Sequence, residues 1–292
     1  MRFAVICNEE FLHSPQIEKI VDYFQDHSHH SLEIMARNNL HHRKLKGIGI
    51  YFVLGGDGTL FTLTHYLKKG FIVGVHTCQE NSVGHFMGLS LSTETFSGKN
   101  CLQEKMEAIL ENIASNKDFV KRSFSQYHRL KGKIKKATGI NVPIEMAFNE
   151  YALGNNLFGR PSKYALSVLS DNSIPSSKEW QRSSGVICST LQGMSGWSKN
   201  ILTGEQYKSL MDQYNKTRNS EFFYLVREPM HKIEYRIGFT TRLTLISDMA
   251  GGIVSHDGFN EVPFDRNDEV VVEGSHYPLK LFRKDVDFTG IL

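Results

Sequence analysis

Apolar and polar positions follow two different patterns along this chain, and the change falls near residue 119. Before it, short unbroken apolar runs are followed by stretches with helical spacing. Phe3 to Cys7, Leu32 to Ala36, Ile48 to Leu54 and Phe71 to Val75 are continuous enough for strands covered on both faces. Ser14-Pro15 is a good helix entry, and Ile17, Ile20, Val21 and Phe24 then share one helical face. Leu60 to Leu67 and Cys101 to Ala114 repeat the helical spacing. Strands alternating with helices predict a parallel sheet covered by helices.

Beyond residue 119 the runs are short, β-rich and separated by glycine and polar turns. They are Phe119 to Arg122, Tyr127 to Ile134, Ile144 to Leu153, Tyr164 to Leu169, Val186 to Ser189, Leu243 to Ile246, Val270 to Val272 and Leu279 to Phe282. This pattern predicts a sandwich-like β domain. Thr203 to Arg218 is the exception, polar enough for an exposed helical insertion. The expected fold class is an α/β, Rossmann-like N-terminal domain over 1–118 and a second, β-sandwich-like domain over 119–273.

The stretch from Ile48 to Leu60 carries the densest chemistry. A buried strand ends in Gly55 and Gly56, Asp57 follows, and Gly58 and Thr59 lead into a helix. Glycines let a ligand or another backbone approach closely, and a helix N-terminus offers unpaired N–H groups to phosphate. A lone carboxylate at such a mouth suits removing a proton from a hydroxyl beside the phosphate, or holding a metal that the phosphate shares. The same residues also suit an ordinary turn in which Asp57 caps the helix.

Two later stretches are candidates for binding. Asn149-Glu150 ends an apolar run; in a strand the two side chains point to opposite faces, so both reach one ligand only if the strand ends or bends there. An amide and a carboxylate suit a ribose diol or an adenine edge, and equally a polar strand end. Ser183 to Ser198 runs from a strand into a loop of small and hydroxyl residues that ends in Trp197. Its backbone and hydroxyls suit a polar ligand while the indole covers an aromatic ring; the alternative is a glycine-rich turn with a core Trp.

Composition narrows the classes. A chain of 292 residues suggests one large or two modest domains, and a net charge of +3 is too small to argue for nucleic acid or a membrane surface. No segment approaches the apolar length of a membrane span, and the N-terminus has neither secretory nor transit character. Four cysteines, at 7, 78, 101 and 188, form no CxxC pair; a cytoplasmic protein with reduced thiols is expected. Asp26 to His30, with His41 and His42, invites a metal reading. With no Cys or carboxylate at zinc spacing nearby, 27–42 reads as a solvated helix end and loop.

Gly55-Gly56-Asp57-Gly58-Thr59 resembles the loop shared by NAD kinases, diacylglycerol and sphingosine kinases and, more loosely, phosphofructokinases. The order of that loop, then Asn149-Glu150, then the Ser/Thr/Gly loop ending in an aromatic resembles the NAD kinases. Gly251 to Gly258 is similar to the late Asp-Gly element of that family. Where common members have Asp-Gly before the third motif, this chain has Ser184-Gly185. The longer loop after Val75, Ser183-Ser184-Gly185, Trp197 and Arg227-Glu228-Pro229 look closer to the mitochondrial-type branch.

The resemblance implies transfer of the ATP γ-phosphate to the adenosine ribose 2′-hydroxyl of NAD or NADH. Asp57 would be the general base. Gly55, Gly56, Gly58 and Thr59 would hold the triphosphate, with Mg²⁺ or another divalent cation bound through the phosphates. Asn149 and Glu150 would hold the adenosine part, and Ser184, Gln192, Ser195 and Trp197 the nicotinamide side. It also implies a homodimer or homotetramer, a C-terminal segment 274–292 returning to the first domain, and polyphosphate as a possible donor. Alternatives are a lipid or other small-molecule kinase of the same superfamily and a non-catalytic nucleotide sensor.

Overall fold

The computed structural model describes residues 1–77, 84–90, 101–157, 159–169, 177–214, 221–284 and 286. The 78–83 part of the loop after Val75, the 215–218 end of the expected insertion and most of 285–292 lie outside the described residues. The chain packs as two units, Met1–Tyr127 with Pro278–Leu292, and His128–Tyr277.

The first unit begins β1 (Arg2–Cys7), α1 (Pro15–His27), β2 (Ser31–Ala36), β3 (Ile50–Gly55), α2 (Asp57–Tyr66), β4 (Phe71–His76) and β5 (Leu89–Ser90). It continues through α3 (Leu102–Ser115), α4 (Lys117–Ser123) and β6 (Phe124–Tyr127). β2, β1, β3 and β4 pair in parallel in that order. All six residues of β3 are buried, which explains its unbroken apolar run. Ile17, Ile20 and Phe24 of α1 and Met106, Ile109 and Leu110 of α3 pack with Phe3, Phe52 and Val73 of the sheet. The strand expected at Phe119 to Arg122 is instead α4. Asn116 accepts the Phe119 N–H at 2.9 Å and caps a short helix that buries Phe119. This cap outweighs the weak β propensity of four residues.

The second unit is two six-stranded antiparallel sheets. In chain order it holds β7 (Leu130–Lys135), β8 (Asn141–Ala147), β9 (Glu150–Asn155), β10 (Ser162–Leu169), β11 (Glu179–Ser183) and β12 (Gly185–Ser189). There follow α5 (Trp197–Ile201), α6 (Gly204–Tyr214), β13 (Phe222–Arg227), β14 (Ile237–Thr240), β15 (Arg242–Ser247), β16 (Gly252–His256), β17 (Asn260–Phe264) and β18 (Glu269–Gly274). One sheet runs β11-β10-β15-β18-β7-β8, the other β14-β13-β12-β9-β16-β17. Tyr151, Leu153, Tyr164, Leu166, Leu243, Val254 and Phe264 fill a common core. β15 alternates buried and half-buried positions, as a strand covered on one face should. α6 packs Leu210 against Phe223 and Leu225 of β13 and Met194.

Two runs expected to be single strands are each two. Tyr127 to Ile134 divides between β6 and β7, and Ile144 to Leu153 between β8 and β9, which belong to different sheets. After Tyr277 the chain forms β19 (Leu279–Phe282), which pairs parallel to β4 and antiparallel to β6. Among the described residues no helix is long and apolar enough to cross a membrane.

Candidate active site

In the first unit, Gly55 allows the turn after β3. A side chain there would stand 2.7 Å from Thr59 Oγ1, so glycine lets Thr59 fold back over the turn. Buried Thr59 donates its hydroxyl to Asn8 Oδ1 at 3.1 Å, and its N–H reaches Gly56 O at 3.1 Å. Gly56 is the N-cap of α2 and Asp57 its first residue. The Asp57 side chain does not cap its own helix. Its Oδ2 accepts the His85 N–H at 2.8 Å and its Oδ1 the Phe86 N–H at 2.9 Å. The carboxylate is thus oriented by the loop that follows β4, and each oxygen keeps further acceptor capacity. The positive end of the α2 dipole favours a negative group at this position. Phe86 is itself held edge-on against Phe61 and Tyr127, with ring centroids 5.6 and 5.7 Å apart.

In the second unit, the site grows from the corner at Phe148-Asn149, where the chain leaves one sheet after β8 and enters the other as β9. Three successive N–H groups there, of Phe148, Asn149 and Glu150, donate to the Asp257 carboxylate at 2.7, 2.7 and 3.0 Å. Asp257 donates its own N–H to Glu150 O at 3.0 Å, from a left-handed backbone with φ of 49°. The carbonyls of the corner are met from the other side by the loop after β12. Thr190 Oγ1 donates to Phe148 O at 2.8 Å, and its N–H to Asn149 O at 2.8 Å. Gln192 Nε2 donates to Phe148 O at 2.8 Å and His128 O at 2.7 Å. Gly193 packs so closely that a Cβ would lie 2.3 Å from Asn149 O.

This corner leaves two side chains available for a ligand. Asn149 Oδ1 is buried without a hydrogen-bond partner among the described residues, and a buried acceptor left so costs about 1–3 kcal/mol. Burial, reinforced by the nearby Asp257 charge, pushes the Glu150 carboxyl up to about 7. Such a group changes charge across the neutral range.

A second crossing between the sheets consists of Ser184 alone, between β11 and β12. Gly185 makes it possible: its φ is 114°, and a Cβ would sit 2.4 Å from Leu153 O. Ser184 Oγ donates to Glu228, and Ser184 O accepts from the Arg227 guanidinium at 2.7 Å. That guanidinium lies 5.1 Å from the centroid of the Trp197 ring. Ser184, Trp197, Arg227 and Glu228 line a cavity of about 540 Å³, together with Arg160. Trp197 is 43% exposed, so it is no core residue.

The structure therefore gathers Gly55, Gly56, Asp57, Gly58 and Thr59 at one turn of the first unit. In the second it gathers Asn149 with Glu150, and Ser184 with Trp197. Gln192 reaches the Asn149 corner by donating to the Phe148 carbonyl, and Ser195 Oγ donates to Gln192 O at 2.7 Å within its own loop. Sequence reasoning missed the His85 and Phe86 amides, which carry no side-chain signature, and the Arg227 contact. It marked Asp257 only as part of a glycine-rich element; a carboxylate followed directly by Gly258 was the available signal.

No protein-family model matches the chain, and no curated protein matches it. Solved structures do. An NAD kinase from Archaeoglobus fulgidus, in complex with ATP, is 19% identical, with 98% of this chain and 94% of that one covered and a TM-score of 0.61. The yeast NADH kinase, complexed with NADH, is 12% identical, with 98% and 84% covered and a TM-score of 0.62. The chain has the fold of the NAD kinases. At these identities the likeness is one of fold: an N-terminal α/β part and a β-sandwich-like part.

Proposed function

We propose that the protein is an NAD or NADH kinase, moving the γ-phosphate of ATP to the adenosine ribose 2′-hydroxyl. The observation that carries the reading is the Asp57 carboxylate, held by the His85 and Phe86 N–H groups at a glycine turn beside a helix N-terminus. The ATP-bound and NADH-bound kinases of the same fold support the substrate pair.

In this mechanism Asp57 accepts the proton of the 2′-hydroxyl as its oxygen attacks the γ-phosphorus, and ADP leaves. Gly55, Gly56 and Gly58 present backbone to the triphosphate, and Thr59 shapes that turn through its bonds to Gly56 and Asn8. Positioning and charge neutralisation do most of the work in phosphoryl transfer. No group of three or more metal-ligating side chains among the described residues includes Asp57. A divalent cation brought in with the triphosphate would supply charge neutralisation on the transferred group.

The second unit recognises the dinucleotide. Asn149 Oδ1 and the Glu150 carboxyl accept hydrogen bonds from the adenosine part. Trp197 offers its exposed face to the nicotinamide end, with Ser184 on the same cavity wall. Gln192 and Ser195 shape that side by holding the loop in place. The mix of Arg160, Arg227, Glu228 and Trp197 around the cavity suits a polar aromatic ligand better than an acyl chain.

The test is a labelled-phosphate transfer assay with NAD, NADH and diacylglycerol as acceptors and ATP or polyphosphate as donor. Label in NADP or NADPH supports the reading. Label in the lipid alone, or in no acceptor while ATP and NAD still bind, overturns it in favour of a lipid kinase or a nucleotide sensor.

A further inference from the structure

The histidines after α1 have a different environment from the solvated loop expected of them. Ser28 Oγ accepts the His30 N–H at 3.2 Å, which bends the chain just before β2. The bend turns His29 and His30 to the same side, their ring centroids 4.3 Å apart. In a continuous strand neighbouring side chains would diverge. The His29 ring is exposed, but His30 is only 8% exposed. Its Nδ1 lies 3.0 Å from the Met1 nitrogen, and its Nε2 is buried without a hydrogen-bond partner.

A carboxylate faces both rings, and it comes from more than eighty residues later in the chain. Glu111 Oε1 is 3.4 Å from His30 Nε2 and 3.5 Å from His29 Nε2. The three ligand atoms lie within 4.8 Å of one another. The other acidic residues of α3 are occupied elsewhere: Glu104 accepts the Cys101 N–H at 3.2 Å and Glu107 accepts the Tyr23 hydroxyl at 2.6 Å. Glu111 has no side-chain hydrogen bond among the described residues.

The two nitrogen–oxygen distances are long for hydrogen bonds, which cluster near 2.9 Å. They are the right length for ligands sharing a tetrahedral ion. Metal–ligand bonds of about 2.0–2.2 Å put neighbouring ligand atoms about 3.3–3.6 Å apart. Two imidazoles and one carboxylate select zinc-class cations over Mg²⁺, which prefers oxygen ligands alone.

We propose that His29, His30 and Glu111 bind one divalent cation of the zinc class, which pins the loop between α1 and β2 to α3. Three protein ligands leave a fourth tetrahedral position for water. The role is structural, and it stands apart from the cation that accompanies ATP.

The experiment uses chelator-treated full-length protein titrated with Zn²⁺ alone, followed by calorimetry and thermal unfolding, and with Co²⁺ alone, followed by visible absorption. Expected are one equivalent bound, an intense tetrahedral Co²⁺ spectrum, and a higher unfolding temperature with Zn²⁺ that Mg²⁺ does not reproduce. His29→Ala and Glu111→Gln each alter an exposed or half-exposed side chain, so both should retain the wild-type circular dichroism spectrum. Each should weaken Zn²⁺ binding by ~100-fold or more, since even outer-shell partners contribute 10–100-fold. Absence of Zn²⁺ binding, or binding and stabilisation unchanged in both variants, would overturn the proposal; the latter would place the ion on other histidines. If either variant fails to fold, the other decides by the same criterion. If both do, the wild-type Co²⁺ spectrum decides, an octahedral one refuting the site.

Discussion

The carboxylate of Asp257 accepts the backbone N–H of Asn149 at 2.7 Å, joining residues 108 positions apart. With the bonds to Phe148 and Glu150, it holds open the corner at which both candidate adenosine-binding side chains are presented.

Asp257→Ala should therefore abolish dinucleotide binding although Asn149 and Glu150 are unchanged. Hydrogen bonds to charged groups contribute about 1.5–3 kcal/mol each, so losing three acceptor contacts should cost at least ~3 kcal/mol of stability. Urea unfolding with calorimetric titration of NAD checks both. Asp257→Asn, which keeps one acceptor oxygen, should fall between.

Asp57→Asn should lower kcat by roughly 10²–10⁴-fold, the range for losing a general base, with NAD binding preserved. One acceptor oxygen becomes an NH₂ facing the His85 or Phe86 N–H, so a stability loss of about 1–3 kcal/mol should accompany it. Steady-state kinetics beside thermal unfolding separates the two effects. Unchanged turnover would reduce Asp57 to an anchor for the 85–86 loop.

Trp197→Ala should raise the KM for NAD more than that for ATP. Its half-exposed ring and its stacking on Arg227 predict a stability change below about 1 kcal/mol. Saturating NAD should also change the fluorescence of Trp197. Trp180 is exposed as well and has to be replaced first to isolate that signal.

Glu150 gives a pH dependence with a definite sign. Its carboxyl is raised from an ordinary 4.5 to about 7, so the folded chain favours the neutral form. The stability this contributes is complete below pH 4.5 and is lost as pH rises to about 7. Glu150→Gln should therefore gain about 1–3 kcal/mol over the wild type on going from pH 5 to pH 8. If the ionised form accepts the ribose hydroxyls, the wild-type KM for NAD should fall roughly tenfold from pH 6 to pH 8. In Glu150→Gln it should be flat.

The sequence by itself determined the elements whose side-chain pattern is local. β3 reads as a strand because all six of its residues are covered. α1 and α3 read as helices because one face of each is buried. The glycine turn at Gly55-Gly56 announced itself because only glycine tolerates the approach of Thr59. Breaks inside apolar runs were not legible. Ala147 and Glu150 belong to different sheets, but an apolar residue is equally at home on either side of one core. Several strands, among them Phe222–Arg227 and Gly252–His256, were missed: the first is nearly as fully covered a run as β3 but directly follows a polar helical stretch, and the second begins in glycine and carries Ser255 and His256.

Tertiary structure alone decided which groups meet. Asp57 is a helix cap by local rules, yet its oxygens go to the amides of His85 and Phe86, which no side chain encodes. Glu111 lies one turn beyond Glu107 on the same helix, and only the packing of α3 against the chain after α1 brings it to His29 and His30. Sequence patterns report what each residue needs from its surroundings, apolar cover or water. Which partner at distance satisfies a carboxylate or an imidazole is set by how the whole chain packs, because hydrogen bonds and metal ligands depend on ångström-scale positions that no local spacing specifies.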